Sequence, residues 1–286
     1  MVSGHESSHG GRSYPLSMAE AELATTPVGG ASRPSDGAEP STGKTEVRQL
    51  RELGELNEAV EVIKAVWGNS GGALLPVELL RAYAHAGDPV LGAFQVDSGR
   101  MIGICVGFLA LPERDDLHLH SHMTGVVPGI QHRGVGFSLK SAQRDWCLER
   151  GIGDVRWTVD PLLAANAWFN IVKLGGTAHS YLPLFYGDMD DDLNRGEETD
   201  RLEMTWRVDS PRVAAVLSGQ APNGDSPKPE LTVAIPADYH ELRKADPQEA
   251  ARQRAEVRRQ LIDAFDAGLE ITGFTRETGY QLTRRG

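Results

Sequence analysis

The residues with the clearest chemical meaning form the six-residue run from Gln131 to Gly136 (QHRGVG), which lies between a predicted strand and a predicted helix. Glycines in such a turn let backbone N–H groups approach an anion without hindrance from a Cβ atom. The positive end of the following helix points at the same anion, and Arg133 can add charge-assisted hydrogen bonds. The turn therefore predicts a pyrophosphate-binding site; the alternative is an ordinary glycine turn at a helix start.

A row of histidines occupies alternate positions of the predicted strand 117–127. His118, His120 and His122 share one face of that strand because side chains alternate in a strand. Three imidazoles in this arrangement extend over about 13 Å, which is too far for one metal ion. We therefore expect no metal site and interpret the row either as hydrogen-bonded sheet histidines or as one wall of a substrate site.

Composition narrows the range of functions. The chain has 286 residues, 40% of them hydrophobic, and a formal net charge of −11. An acidic chain without basic stripes argues against nucleic-acid binding and against an anionic membrane surface. Cys105 and Cys147 lie in apolar segments, which indicates buried thiols in a reducing compartment. With no membrane-spanning run and no signal peptide recognised, we expect a soluble, cytoplasmic protein.

The periodicity of apolar residues predicts three parts: a disordered tail over 1–44, a domain over 45–209 and a C-terminal extension over 210–286. The expected order in the domain is strand, two helices, three strands, glycine turn, helix, strand, helix and two strands. The extension should contain a strand, a helix and final strands. The predicted strands are 46–50, 90–96, 101–111, 117–127, 154–159, 178–185, 201–208, 231–235, 271–275 and 280–283; the predicted helices are 55–67, 76–86, 134–150, 164–174, 210–219 and 246–267.

This order, with the glycine turn in its place, resembles the GNAT superfamily of N-acyltransferases, whose Q/R-x-x-G-x-G/A motif the run from Gln131 to Gly136 fits. A narrower similarity rests on Asp160-Pro161-Leu162, 166–170 and 185–189. These segments look like a group of predicted bacterial acyltransferases with a C-terminal extension, some resembling amino acid N-succinyltransferases. The resemblance covers about 45–286. It implies an α/β (α+β) fold with a mixed, mostly antiparallel sheet, splayed central strands, flanking helices and a small α/β extension.

The resemblance also implies where an acyl-CoA, acetyl-CoA or succinyl-CoA, would bind. The exposed backbone of the splayed strand at Val126 and Val127 would hydrogen-bond the pantetheine arm like an added strand. Asn166 suits the pantetheine or the thioester. The remaining expected contacts come from the turn and the helix after it: Gln131, His132, Arg133, Gly134, Val135, Gly136 and Phe137.

The catalytic residues are harder to assign. Many GNAT enzymes use a tyrosine as the general acid at the position where this chain has Ile171. The nearest tyrosines in sequence, Tyr181 and Tyr186, therefore become the candidate acids, and the alternative for each is a packed strand residue. His122 is nearest the expected splay and is the candidate base, since an imidazole with a pKa of about 6.5 can accept a proton from an amine. Asn170 shares a helix face with Asn166 and is either a ligand contact or a solvated polar residue.

The function implied is transfer of an acyl group to a small-molecule amine, an amino acid or a similar metabolite, by direct attack on the thioester. Two alternatives stay open. The thioester could be carried by an acyl carrier protein, or the chain could be a non-catalytic acyl-CoA-binding module, which Ile171 slightly favours. A homodimer is also left open, and the extension carries no motif of its own.

Overall fold

The computed structural model describes residues 44–68, 75–112, 117–131, 134–187, 198–219 and 228–285. The predicted tail up to residue 43 and the turn residues His132 and Arg133 therefore lie outside the described residues. Within these ranges, no helix is both long enough and apolar enough to cross a membrane.

The described residues form ten strands and seven helices. The strands are Thr45–Gln49 (β1), Val90–Gln95 (β2), Met101–Ala110 (β3), His118–Val126 (β4), Asp154–Val159 (β5), Thr177–Leu182 (β6), Arg201–Arg207 (β7), Leu231–Val233 (β8), Leu269–Thr275 (β9) and Gly279–Arg284 (β10). The helices are Leu53–Trp67 (α1), Val77–Ala86 (α2), Val135–Leu148 (α3), Ala164–Ala167 (α4), Pro211–Leu217 (α5), Tyr239–Ala245 (α6) and Pro247–Asp266 (α7), and a π-helical segment, Trp168–Lys173, continues α4.

All ten strands belong to one sheet in the order β1-β2-β3-β4-β5-β7-β6-β9-β10-β8. Neighbouring strands are antiparallel except for β4 and β5, which are parallel. The predicted mixed, mostly antiparallel sheet with flanking helices is therefore confirmed.

The parallel pair is short. Leu119 lies opposite Val155 and His120 opposite Arg156, and no further residues of the two strands are paired. Because β4 continues to Val126 while β5 continues to Val159, the strands diverge toward their carboxyl ends. This divergence is the splay that the resemblance implied, and it opens a gap in the middle of the sheet, called the β4–β5 gap below.

Close packing around glycines shows which helix covers which face of the sheet beside this gap. A Cβ atom on Gly125 of β4 would lie 2.4 Å from the Cη2 atom of Trp67 in α1. A Cβ atom on Gly103 of β3 would instead meet the side chains of Val135 and Leu139 in α3. Gly103 and Gly125 point to opposite faces, so α1 covers one face and α3 the other.

The extension continues the sheet. A single pair, Ala178 opposite Ile271, joins β6 to β9, and β10 and β8 follow. Helix α7 buries Val257 and Leu261, as its predicted apolar stripe required. The extension therefore shares a core with the preceding residues, an arrangement that the sequence left open.

Two local structures differ from the predicted elements. The predicted helix 164–174 is α-helical only to Ala167 and then becomes π-helical, with the Leu174 N–H donating to the Phe169 carbonyl at 3.0 Å. The helix α6 was not predicted; the Asp238 carboxylate caps it by accepting from the Glu241 N–H at 3.0 Å. A helix this short offers too few turns for an apolar period to be visible.

Candidate active site

Helix α3 starts at the glycine turn in the way the sequence predicted. Gly134 adopts a left-handed conformation with φ of 84° and ψ of 2°, which side chains with a Cβ atom seldom tolerate. Val135 and Gly136 are buried, and Phe137 packs, partly buried, against the core that the extension shares. The Gln131 side chain turns back to accept a hydrogen bond from the Gly129 N–H at 2.8 Å. The first amides of α3 therefore stand beyond a tight turn, at the carboxyl end of β4.

A β-bulge interrupts β4 near the start of the gap. Val106 of β3 lies opposite Met123, while the next residue, Gly107, lies opposite Ser121. His122 is therefore the extra residue, and a bulge of this kind re-aims side chains and bends the strand. The His122 ring is centred 5.9 Å from the Phe108 ring and 6.1 Å from the His120 ring.

Burial sets the protonation of these histidines. It lowers the pKa of His122 to about 4, and it lowers the pKa of His120 to about 4 together with the nearby His122, His118 and Lys140. Both imidazoles are therefore neutral at neutral pH and able to accept a hydrogen bond. His122 is a weaker base than the unperturbed pKa of about 6.5 assumed in the sequence argument would make it.

The two valines at the end of β4 are buried, and part of their backbone is already used. Val126 lies opposite Gly103, and the Val127 N–H donates to the Ile102 carbonyl at 3.0 Å. In this register Val126 and Gly103 form a non-hydrogen-bonded pair, so the N–H and carbonyl of Val126 point away from β3 toward the gap and are the groups left for a ligand.

Asn166 is the most informative residue of the site. It is 0% exposed, and neither Nδ2 nor Oδ1 of its amide has a hydrogen-bond partner among the described residues. Leaving a buried amide unpaired costs roughly 1–3 kcal/mol, so such a group usually meets a ligand or water. Helix α4 follows directly after β5, so Asn166 lies at the strand's carboxyl end, where the gap opens.

Asn170 has a different environment. It is 2% exposed, its Nδ2 donates to the Asn166 carbonyl at 2.9 Å, and its own carbonyl accepts from the Gly176 N–H at 2.9 Å. It is therefore not the solvated helix residue that was one of its two interpretations. Asn166 lies just before the π-helical segment and Asn170 lies within it, and such segments are common at functional sites.

Tyr186 reaches the other side of the gap. Its phenol oxygen lies 3.1 Å from Oγ1 of Thr158 in β5. Trp157 faces α3, since the Lys140 ammonium stands 4.0 Å above its ring, and the next residue, Thr158, therefore points to the opposite face. His122 packs on that same face, because the ring it contacts, Phe108, stacks on Tyr83 of α2. Tyr186 and His122 thus border the gap from β5 and β4 respectively.

Tyr181, and Ile171 at the position where many GNAT enzymes have a tyrosine, are both packed in the interior. The Tyr181 hydroxyl donates to Asp200 at 2.7 Å, and burial with this carboxylate raises its pKa. Ile171 is 2% exposed within the core and carries no polar group. Of the two tyrosines considered, Tyr186 is the one that the structure brings to the gap.

A buried ionic network behind the site escaped the sequence argument. Asp160, at the end of β5, accepts from Nη2 of Arg254 at 2.8 Å and from the Leu162 N–H at 2.7 Å. Burial alone would raise the pKa of Asp160, but Arg254 and Arg201 hold it below its usual range. Four residues on, Arg258 donates to both carboxylate oxygens of Asp200 at 2.8 and 2.9 Å.

The signal for this network is present in the sequence. Arg254 and Arg258 are spaced like Val257 and Leu261 along the buried side of α7. Charged residues next to an apolar stripe indicate buried partners, which here come from the loops beside the gap. No cluster of His, Cys, Asp or Glu suitable for a metal ion occurs among the described residues.

No protein-family model matches the sequence, and no curated protein matches it. Among solved structures, the chain is similar to a putative acetyltransferase of the GNAT family from Desulfovibrio desulfuricans, with 14% identity, a TM-score of 0.46 and coverage of 58% of this chain and 99% of that one. It is similar to the ribosomal-protein alanine N-acetyltransferase from Escherichia coli, with 17% identity, a TM-score of 0.45 and coverage of 58% and 96%.

A third similar structure is the acetyltransferase of the GNAT family from Streptococcus pneumoniae, with 18% identity, a TM-score of 0.43 and coverage of 57% of this chain and 98% of that one.

Proposed function

We propose that this chain is an N-acyltransferase with a GNAT-like fold, which transfers the acyl group of an acyl-CoA to the amine of a small metabolite. The observation that carries the proposal is the β4–β5 gap. It lies between the start of α3, the neutral His122 and the buried, unpartnered amide of Asn166. In this proposal residues 45–209 form the catalytic domain and 210–286 its extension.

The gap suits a pantetheine arm because the arm is narrow and carries amide groups that can bond to strand backbone. The backbone of Val126 and Val127 and the Asn166 amide would bind the arm, and the α3 amides after Gly134 would bind the pyrophosphate. His132 and Arg133 would add contacts from the turn, and Phe137 would contact the donor where it leaves the gap. No metal ion takes part in this chemistry.

The reaction is direct. The amine nitrogen attacks the thioester carbonyl carbon, a C–N bond forms, the C–S bond breaks, and CoA leaves as its thiol. His122 would accept the amine proton, directly or through water, and Tyr186 would return a proton to sulfur. A backbone N–H near the bulge would stabilise the oxyanion, and Asn170 would hold Asn166 in place. Because an α-amino group has a pKa of about 8, an amino acid acceptor needs only a weak base.

The finer features of the proposal follow the resemblance. The donor is acetyl-CoA or succinyl-CoA and the acceptor an amino acid or a derivative, in the cytoplasm. A carrier-protein thioester is the alternative donor, and a homodimer stays open. Binding without turnover is the second candidate function, which the buried Ile171, with no hydroxyl to offer, favours.

Calorimetric titration with acetyl-CoA and succinyl-CoA tests the proposal, together with thiol release over a panel of amino acids. Gly134→Glu should abolish binding by placing a carboxylate at the pyrophosphate. Gly87→Glu is the matched control, because Gly87 also has a positive φ (97°) and open space around its Cβ position. Binding without thiol release would favour the binding module. If the folded parent bound neither thioester, a free CoA donor would be excluded and a carrier-protein donor would be tested.

A further inference from the structure

Lys140 of α3 is buried although its side chain carries a charge. It is 3% exposed, and its ammonium donates hydrogen bonds to Oγ of Ser121 at 2.9 Å and to Oε1 of Gln143 at 2.8 Å. The ammonium lies 4.0 Å from the centre of the Trp157 ring and 5.5 Å from that of the Trp206 ring. Lysine is rarely buried so completely, because removing its charge from water costs free energy. The position of this ammonium therefore indicates a function.

The ammonium lies at the closed end of the β4–β5 gap. The last residues that pair across this junction are His120 and Arg156. Ser121 and Trp157, which contact the ammonium from β4 and β5, are the next residues of the two strands. Because a serine hydroxyl oxygen is only two bonds from its own Cα atom, the ammonium stands roughly 5 Å from the β4 backbone. Lys140 thus places a positive charge where the strands begin to separate, on the α3 face of the sheet.

The candidate base and acid stand at the same level on the opposite face of the sheet. His122 is the residue after Ser121 on β4. The Tyr186 phenol oxygen lies 3.1 Å from Oγ1 of Thr158, which is the residue after the tryptophan that contacts the ammonium on β5. The closed end of the gap is therefore bordered by the base and the acid on one face and by Lys140 on the other.

A thioester bound in the gap would reach this closed end. The pyrophosphate is expected at the first amides of α3, beside the carboxyl end of β4, so the pantetheine arm would run inward along β4. The stretch of β4 from Val126 back to Ser121 extends over about 16 Å. Because the thioester is at the inner end of the arm, its sulfur would lie between the acid–base pair and Lys140.

The charge of Lys140 acts across the sheet. Burial, then His122 and His118, and then Lys140 lower the pKa of His120 to about 4, although the His120 ring packs with Phe108 on the face away from α3. At the effective dielectric constant of a protein, a unit charge roughly 5–6 Å away changes an equilibrium that forms the opposite charge by up to about 100-fold. A group that becomes negative in the gap would be stabilised by this ammonium.

We propose that the Lys140 ammonium stabilises the negative charge that forms on the CoA sulfur when the C–S bond breaks. This rests on the proposed function. The amine nitrogen bonds to the carbonyl carbon, the C–S electron pair goes to sulfur, and the thiolate lies beside the ammonium until Tyr186 returns a proton. Such a cation suits a chain that has Ile171 where many GNAT enzymes have a tyrosine as the general acid. Since Ser121 and Trp157 already hold the ammonium, no rearrangement is needed during the reaction.

The ultraviolet absorbance of the thiolate of bound CoA, followed as the pH is raised, measures this effect without turnover. The complex with S-methyl-CoA, which has no thiol, is the blank. An aliphatic thiol has a pKa of about 8.5; bound to the parent, the CoA thiol should ionise about 10-fold or more readily, at a pKa of about 7.5 or lower. Lys140→Met keeps the length of the side chain but removes its charge, so it should abolish this shift.

Arg144→Met is the matched control. Arg144 is a cation on the same helix, but its Nε donates to the Val208 carbonyl at 2.8 Å, away from the gap. This variant should therefore keep the lowered thiol pKa of bound CoA.

Titration and single-turnover kinetics of the same variants separate binding from chemistry. In Lys140→Met the affinity for acetyl-CoA should stay within about 3-fold of the parent, because the intact thioester is uncharged. The rate of thiol release in a single turnover should fall about 10-fold or more. A residue that only supports the fold would instead lower the thermal stability and leave this rate unchanged. Lys140→Gln, which is neutral but can still hydrogen-bond to Ser121, takes its place if Lys140→Met does not fold.

Equal thiol pKa values for CoA bound to the parent and to a folded Lys140 variant would overturn the proposed role of Lys140. Thiol release from acetyl-CoA by the parent would then show that the acyltransferase function stands without it. If the parent bound neither CoA nor acetyl-CoA, the free CoA donor would be excluded and the role of Lys140 would be overturned with it.

Discussion

His122 has a proposed role as the base, and its burial as a neutral imidazole makes the stability of the fold depend on pH. Its pKa is about 4 when folded, as is that of His120, whereas a histidine in the unfolded chain has a pKa of about 6.5. Between these values the unfolded chain binds more protons, so the free energy of unfolding rises with pH. Stability should therefore fall as the pH drops from about 6.5 to 4, by up to about 1.4 kcal/mol per pH unit for each histidine.

His122→Gln should remove one of these two contributions, so its stability should depend less steeply on pH over that range. Urea denaturation at several pH values measures the slope directly. His85→Gln, a change at an exposed histidine of α2, should keep the parent's slope. An unchanged slope in His122→Gln would contradict this, because it would mean that His122 takes up its proton at the same pH in the folded and the unfolded chain.

Asn166 and Asn170 should respond in opposite ways to loss of the amide. Asn166→Leu removes a buried amide that lacks partners, so the unliganded protein should keep or gain stability, by up to about 1–3 kcal/mol. Its affinity for acetyl-CoA should fall about 10-fold. Asn170→Leu breaks the hydrogen bond to the Asn166 carbonyl and should destabilise by about 1 kcal/mol.

Thermal unfolding and calorimetric titration of both variants provide the comparison. Strong destabilisation by Asn166→Leu would show that the amide has a structural partner and would remove the main support for a ligand at that position.

At the scale of elements, β4 depends on close packing over Trp67. Gly125→Ala should destabilise the protein by about 1–3 kcal/mol, because the new Cβ atom would overlap the indole ring. The smaller side chain in Trp67→Leu should recover part of that loss, which a double-mutant cycle by urea denaturation would measure. Gly54→Ala in α1 is the control: nothing lies within 4 Å of its Cβ position, so helix propensity predicts a gain of about 0.5–1 kcal/mol. Additive effects of the Gly125 and Trp67 changes would contradict this packing.

The same elements show what the sequence could predict. Apolar periods and the glycine turn identify most strands and helices, since burial of one face imposes the period. The bulge at His122 was hidden, because one extra residue leaves the pattern His118, His120, His122 unchanged. The π-helical turn after Ala167 was hidden for a similar reason: it changes hydrogen bonds without interrupting the apolar residues.

The site residues also divide into those that a local sequence pattern predicts and those that it does not. The turn at Gly134 is predictable because a backbone conformation demands a residue type. The unpartnered state of Asn166 and the low pKa of His122 depend on how many other segments exclude water, which no local spacing reveals. Lys140 illustrates the point: it is 3% exposed, with its ammonium 2.9 Å from Oγ of Ser121, yet in sequence it reads as a polar helix residue.

For the whole molecule, the ionic contacts of α7 with the loops beside the gap should be essential to the stability of the fold. Arg254→Met leaves the Asp160 carboxylate buried with less compensation, which should cost about 3–5 kcal/mol. Arg259→Met on the exposed side of α7 should stay within about 0.5 kcal/mol of the parent. Urea denaturation measures both, and Asp160→Asn combined with Arg254→Met should recover part of the loss. Equal stability of the two single variants would show that Asp160 is solvated.

The sheet is joined unevenly, and this has a mechanical consequence. Two residue pairs join β4 to β5 and one pair joins β6 to β9, whereas the other strand junctions have at least three. These two weakly paired junctions divide the sheet into three panels: β1 to β4, then β5, β7 and β6, then β9, β10 and β8. A ligand that hydrogen-bonds to β4 and β5 would supply the inter-strand hydrogen bonds that this junction lacks, and it would couple the first two panels. Donor binding would then make the sheet stiffer as a whole, including strands that the ligand does not contact.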